Sequence, residues 1–445
     1  MPAMGKIRTL VLEVLVLPML ASAASGSRVC FTGTTDRPVP DYRVGEPMTF
    51  SVKIKDAGTN DLSSSKIVWR RTGDDGIAEE GEIPAATEFV YRTSLDRPGF
   101  VRLEAWLCRN GTPSADCRRR GRHDAYGCFG AGVDILSIRQ AVPEPADFDD
   151  FWSRHRAALA KTPMTDAKTE EVPSGVPNVR VYAVSVPCAG SRPMTGFLSV
   201  PRVPDGCVTN FPAGLRFYGY NQSWGQTEVP TAKAIPPNRL VLHVSAHGFE
   251  LMRDKAYYAA FRKSCGSNGY GVGFDPVQNA DPEKSYFCGM AYRVMRALEW
   301  IKTRPEWNRR DLEVSGGSMG GLQSIWAAAL DRDVTVCNVD YPWNCDIGGT
   351  EIGRNRGDWY VKWVPALGYY DAVNHAKRIG PTCRVNMHMV GLGDYVCPPT
   401  GVFAFYNALG TPRKKALVWQ NSGHGSPYEP PPRQMFNVDG VELKP

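Results

Sequence analysis

Gly316-Gly317-Ser318-Met319-Gly320 directly follows the short apolar run Leu312-Glu313-Val314 and opens a helical pattern from Gly321 to Ala329. A strand that turns into a helix through Gly-x-Ser-x-Gly leaves few folds open. The two outer glycines let strand and helix pack around a very tight turn, and the serine is held in a strained backbone with its Oγ above the sheet edge. By chance such a five-residue pattern arises about 0.3 times in a chain of this length and glycine content. Its neighbours must therefore carry the argument.

Downstream, Val385 to Leu392 reads as a buried strand, with Gly393-Asp394 at its carboxyl end, where sheets of this kind present functional groups. Ala416-Leu417-Val418-Trp419 is a further strand and leads to Asn421-Ser422-Gly423-His424-Gly425. Ser318, Asp394 and His424 thus come in the order expected of an α/β-hydrolase triad, each just past a predicted strand. Asp346 and Asp371 are rivals for the acid.

The 445 residues, 42% of them hydrophobic, suffice for two domains. From Val29 to about Arg139 the apolar residues fall in short alternating runs, such as Met48 to Ile54, Ile67 to Arg70, Phe89 to Arg92, Val101 to Trp106 and Gly132 to Ile135, separated by Gly, Pro, Asn and Asp. That pattern predicts an all-β, immunoglobulin-like sandwich over residues 28–140. It carries no catalytic constellation, and either steadies the next domain or binds glycan through exposed aromatics. Pro143-Glu144-Pro145 marks the junction, after which Asp147 is expected to cap a helix from Phe148 through Leu159. Strands near 179–186, 196–200, 214–218 and 240–245, a long helix near 286–303 and then alternating strand and helix predict an α/β-hydrolase domain over 144–445. Its sheet should be mixed at the start and mostly parallel afterwards, in a three-layer arrangement.

A net charge of +6 is weak for this length and argues for neither nucleic acid nor a membrane surface. Lys6 and Arg8 before the apolar stretch Thr9 to Leu20, then Ala21-Ser22-Ala23, read as an export signal over residues 1–24, so a secreted or periplasmic product is expected. Twelve cysteines suit an oxidising compartment. Cys345 and Cys397 follow strands that should be neighbours, which suggests a disulfide pinning two loops; independent buried thiols are the alternative. No Cys-x2-Cys or His-x3-His spacing calls for a metal.

A serine hydroxyl is a poor nucleophile at neutral pH, so it needs a base within reach and a third group to orient that base. His424 fits the base and Asp394 the orienting acid. A tetrahedral intermediate also needs two N–H donors, expected from Met319 after the nucleophile and from Tyr220, in the loop Arg216 to Asn221 where Gly219 permits a close turn. Trp224, Trp343 and Trp359 are candidates for sugar stacking or for closing an acyl pocket. His243 and His247 read as strand-end or pocket residues.

From about Glu144 to Tyr428 the chain resembles acetyl xylan esterases and cephalosporin C deacetylases of carbohydrate esterase family seven, in a form with an added N-terminal sandwich. The resemblance rests on Asp147 to Trp152, Phe217 to Asn221, Gly316 to Gly321, Gly391-Leu392-Gly393-Asp394 leading into Cys397-Pro398-Pro399-Thr400, and Gly423-His424-Gly425. It implies deacetylation of sugars by a serine esterase mechanism without metal or other cofactor, an acetylated carbohydrate as partner, and a possible homo-oligomer. Three features depart from the family's pattern: Met319 stands where Gln is usual, Tyr218 where His is usual, and the usual Arg-Gly-Gln segment is not evident, Arg356-Gly357-Asp358-Trp359 being the nearest stretch. Other readings of the same residues are a different α/β-hydrolase, such as a short-chain esterase or peptidase, or an inactive glycan-binding homologue.

Overall fold

The computed structural model describes residues 29–37, 41–55, 62–85, 88–119, 121–204, 210–424, 435–437 and 442–443. The expected export signal and Gly425 lie outside these residues.

Eight strands build the first region: β1 (Cys30–Thr35), β2 (Asp41–Tyr42), β3 (Met48–Lys55), β4 (Ser65–Gly73), β5 (Ala78–Pro84), β6 (Glu88–Thr93), β7 (Gly99–Arg109) and β8 (Ala125–Val133). They form two sheets, β1-β3-β6 and β2-β8-β7-β4-β5. Met48, Phe50, Val52 and Ile54 alternate inward along β3, as their period of two requires. They meet Leu103, Ala105, Phe129 and Ala131 of the facing sheet in one core. This is a β-sandwich. β8 begins seven residues before the Gly132-to-Ile135 run read from sequence, because Gly127 and Gly130 break the apolar alternation there. A Cβ on Gly127 would lie 2.8 Å from the Phe129 ring, so the glycine makes room for a core side chain.

The second region is one large mixed sheet containing β9 (Lys168–Val172), β10 (Val179–Val186), β11 (Met194–Pro201), β12 (Phe211–Arg216), β13 (Leu240–Val244), β14 (Trp307–Gly317), β15 (Val336–Asp340), β16 (Arg384–Gly391), β17 (Lys414–Trp419), β18 (Met435–Asn437) and β19 (Glu442–Leu443). Its order is β19-β18-β17-β16-β15-β14-β12-β13-β11-β10-β9. β13, β12, β14, β15, β16 and β17 run parallel, while β9 to β11 and β18 to β19 add antiparallel margins. Every residue of β11 and β13 is buried, as expected of strands covered on both faces. The chain runs from β12 outward to β13 and then returns to the other side of β12 as β14. Strand order reverses there, and such a switch point is where open α/β sheets place their ligands.

The helices Phe148–Ala160, Tyr286–Lys302, Met319–Leu330 and Pro399–Ala408 pack on this sheet and on each other's neighbours. Asp147 precedes the first of these but makes no side-chain cap; its carboxylate accepts from the Tyr369 hydroxyl instead, tying the helix start to a distant loop. The two regions share apolar surface, since Phe100, Ile135 and Ile138 belong to the same buried cluster as the α/β core.

The expected Cys345–Cys397 disulfide is not formed, and both residues are free thiols. The Cys345 thiol is turned toward the Pro342 carbonyl, 3.5 Å away. Among the described residues the disulfide present is Cys108–Cys117, which ties the end of β7 to the short helical turn after it.

Candidate active site

β14 ends in Gly316-Gly317, and Ser318 caps the helix Met319–Leu330 with φ 56° and ψ −123°, a backbone state that side chains other than glycine rarely adopt. Its surroundings hold it there. The Ser318 N–H donates to the Asp340 carbonyl at 3.0 Å, and its own carbonyl accepts from the Trp343 N–H at 3.0 Å. The glycines act through space: a Cβ on Gly316 would lie 2.5 Å from the Gly320 carbonyl carbon, and one on Gly320 would lie 2.6 Å from the Phe217 carbonyl oxygen. Helix and strand therefore approach as closely as the sequence pattern required.

Asp394 follows β16 and is 3% exposed. Its Oδ1 accepts the Val396 and Cys397 N–H groups at 2.7 and 2.9 Å, which leaves Oδ2 aimed at His424 Nδ1, 2.9 Å away. The acid and base loops touch backbone to backbone, since a Cβ on Gly391 would lie 2.6 Å from the carbonyl oxygens of Ser422 and Gly423. Asp346 and Asp371 stand elsewhere. Asp371 accepts from the N–H groups of Asp346, Ile347 and Val373, and Asp346 pairs with Arg354.

Tyr341 links the base to the elbow: its ring lies 4.8 Å from the His424 ring, edge on, and 3.0 Å from where a Gly317 Cβ would be. No sequence signal singled it out. The Cys397 thiol occupies the same corner. Burial first, then the Asp394 carboxylate and Cys345, push it well above its ordinary pKa, while the Ser318 hydroxyl works the other way. Among the described residues Asp394 is the side chain hydrogen-bonded to His424.

Met319 and Tyr220 are both first residues of helices, the latter of the short helix Tyr220–Ser223 after β12. N–H groups at that position have no acceptor within their helix. The two helix starts are adjacent, with Gly219 placed so that a Cβ on it would lie 3.7 Å from Ser318 Cβ. Gly219 has φ −60°, an ordinary value, so the turn expected from its freedom is instead a helix cap.

His247 supports this helix. Its Nε2 meets the Ser223 hydroxyl at 2.8 Å, its Nδ1 meets the Tyr286 hydroxyl at 2.9 Å, and Trp224 stacks on its ring at 3.6 Å with Arg262 over the indole. Burial, followed by the charge of Arg293, keeps this imidazole neutral, well below its usual pKa. His243 bonds the Tyr218 hydroxyl at 2.5 Å and is pushed down to about 4 by burial and then by Arg216.

The three tryptophans separate. Trp343 and Trp359 converge on Tyr220, with ring centroids 6.0 and 5.1 Å from it, and the Trp343 Nε1 donates to the Trp359 carbonyl at 3.1 Å. Trp224 is occupied on the far side by His247. A cavity of about 60 Å³ is lined by Trp343, Trp359, Cys345, Cys397, Arg354 and Arg356 among others. It is small.

Among the described residues two groups bring three possible metal ligands within 4.8 Å of one another: Asp394, Cys397 and His424, and His155, Glu283 and Cys288. In each the imidazole already pairs with the carboxylate, at 2.9 Å and 3.2 Å.

The sheet order, the serine turn at its switch point and the acid and base loops beside it define an α/β-hydrolase. The profile described as acetyl xylan esterase (AXE1) matches residues 134–350 and 357–429, so the chain belongs to the acetyl xylan esterase family and is a carboxylic ester hydrolase. It is 25% identical over 354 residues to the acetyl esterase Axe7A of Xylanibacter ruminicola, covering 77% of this chain and 74% of that protein. Among solved structures it is similar in fold to the acetyl xylan esterase from Paenibacillus sp. R4, with a TM-score of 0.52 and 22% identity over 66% of this chain and 93% of that one. The acetyl xylan esterase 1 of Thermoanaerobacterium sp. JW/SL YS485 gives a TM-score of 0.50 and 23% identity, covering 67% of this chain and 93% of that one.

Proposed function

We propose that this chain is a secreted serine esterase that removes acetyl groups from O-acetylated saccharides, xylan fragments being the leading class. Ser318 attacks the acetyl carbonyl. His424 takes its proton and returns it to the departing sugar oxygen, then activates a water that releases acetate from Ser318, while Asp394 holds the imidazole and stabilises its charged form. The Met319 and Tyr220 N–H groups donate to the developing oxyanion. The observation that carries this reading is the 2.9 Å Asp394–His424 bond on the rim where Ser318 is held at φ 56°.

Support for a short neutral acyl group comes from the aromatic rings of Trp343 and Trp359, which pack on that of Tyr220, the residue that starts the helix next to Ser318. The relatives' names, an acetyl esterase and two acetyl xylan esterases, point the same way. The departures at Met319 and Tyr218 leave the oxyanion donors untouched, because both donors are backbone groups. Export is supported by the charge and apolar pattern of residues 1–24, and among the described residues no helix is long and apolar enough to cross a membrane. Acetate release from a panel of acetylated oligosaccharides, beside esters of increasing acyl length, tests the proposal. Activity confined to acetyl and propionyl esters and lost in Ser318→Ala is expected; a preference for long acyl chains or peptides would overturn it.

A further inference from the structure

Asp74 lies in the sandwich, in the turn between β4 and β5, yet it is 1% exposed and its carboxylate reaches into the other domain. Oδ1 accepts the Asn355 N–H at 3.0 Å; Oδ2 accepts the Thr400 hydroxyl and the Phe100 N–H, the latter at 2.7 Å. A buried carboxylate is costly unless its lone pairs are filled, and here two of the three donors come from loops of the α/β domain. Those loops are the ones beside the candidate acid. Thr400 is the second residue of the helix Pro399–Ala408 and follows closely on Val396 and Cys397, whose N–H groups hold Asp394 Oδ1. The Asn355 loop reaches the same segment from the other side, since the Asp358 N–H donates to the Tyr395 carbonyl at 2.6 Å.

A second set of contacts comes from β8. A Cβ on Gly130 would lie 2.2 Å from the Leu392 carbonyl oxygen, and one on Gly393 would lie 2.7 Å from Cys128 Sγ, so the strand rests directly on the loop that carries Asp394. The Gly130 N–H donates to the Gln420 carbonyl at 3.2 Å, and Gln420 reaches the Thr35 hydroxyl at 2.8 Å, which ties the stem of the His424 loop to the sandwich as well. Asp74 precedes the stretch matched by the family profile, and Asn355 falls in the gap between its two parts. The joint thus brings Asp74 and Asn355, both outside the matched stretch, onto Thr400 inside it.

We propose that the sandwich is a positioning element of the active site, and that Asp74, acting through Thr400, holds the Val396 and Cys397 N–H groups that orient Asp394. The proposal rests on the serine, histidine and aspartate roles given above. It is a claim about orientation, so it reads out in turnover and pH dependence rather than in stability alone. Small displacements of a catalytic group cost large factors in rate, and about 10- to 100-fold in kcat is expected for Asp74→Ala, about 10-fold for Thr400→Val, with KM within about two-fold. A loosened Asp394 stabilises the charged imidazole less, so the acid limb of kcat/KM should move to lower pH by about half a unit or more. The double variant should be little worse than Asp74→Ala, because both lie on one path.

The experiment measures kcat, KM, the pH profile and the unfolding temperature of the full chain carrying each change, with Val52→Ala in the sandwich core as the comparator. Val52 is buried in the sandwich core and takes no part in the hydrogen bonds of Asp74, so its truncation should lower the unfolding temperature without moving kcat or the pH profile. If Asp74→Ala behaves like Val52→Ala, the positioning role is overturned. Should Asp74→Ala not fold, Thr400→Val decides alone, and unchanged kcat with an unchanged pH profile has the same consequence. Full activity in Ser318→Ala would instead bring down the underlying site assignment, so the two failures are distinguishable.

Discussion

Asp394 in the α/β domain and Asp74 in the sandwich are nearly the same device in two regions. Each is a buried carboxylate, 3% and 1% exposed, and each accepts backbone N–H groups. They differ in the last partner. Asp394 keeps one oxygen for an imidazole that can change its charge; Asp74 gives its remaining bond to a threonine that cannot. Buried carboxylates are therefore not catalytic by virtue of burial. What the final lone pair faces decides whether the group takes part in chemistry or joins two domains.

The comparison breaks most sharply at Asp394. Asp394→Asn should lower kcat by about 10⁴-fold while the protein stays folded, because the amide favours the wrong imidazole tautomer. Acetyl-ester turnover beside a thermal melt checks this, and a loss below ten-fold would remove Asp394 from the catalytic set. Gly130→Ala sharpens it from the sandwich side. The new methyl meets the Leu392 carbonyl, so stability should fall by about 1–3 kcal/mol and kcat should fall with it, read by denaturant titration and kinetics.

Acid separates the two regions next. His243 and His375 in the α/β domain are pushed down to about 4 and about 3 by burial, and His247 well down, so all three charge only on unfolding. Their folded pKa values lie below the unfolded value, so stability is lost as pH falls from about 6.5, by about 1.4 kcal/mol per unit for each group. Asp371, raised to about 7 by burial and then by Asp346, has the opposite sign: its contribution is present at low pH and is lost as pH rises through about 7. Burial lowers His155 too and raises Asp74 and Asp340, whose contributions oppose those of the imidazoles. Thermal melts that start lower at pH 5 than at pH 7.5 are expected where the imidazoles govern. Hydrogen exchange should place the first opening in the α/β domain. The smallest effect is expected at the disulfide. Cys108→Ser opens a loop of nine-residue separation, costs about 2–3 kcal/mol by melting, and leaves kcat unchanged because it lies away from the Asp74 joint.

Much of the site was legible in advance. Ser318, Asp394 and His424 each follow a strand, and strand, turn and helix are local patterns that a sequence displays. The family resemblance pointed to the same residues, and the family is the one the chain belongs to. The parts that escaped were contacts between distant segments. The cap expected from Asp147 goes to Tyr369 because a hydroxyl 222 residues away arrives there. The bridge expected between Cys345 and Cys397 fails although β15 and β16 are neighbours, because neighbouring strands do not determine where thiols on the loops beyond them point. β8 was read short because its glycines are explained only by Phe129 and Leu392 lying against them.

Periodicity and turn chemistry are properties of consecutive residues, so the chain by itself determined a sandwich followed by an α/β sheet, and a strained serine between them and the end. Whether a given carboxylate, thiol or glycine faces an imidazole, a carbonyl or another domain depends on chain segments up to 385 residues apart meeting in space. Only the tertiary structure decided that, because burial and hydrogen-bond partners are set by what packs around a group, and no local pattern encodes them.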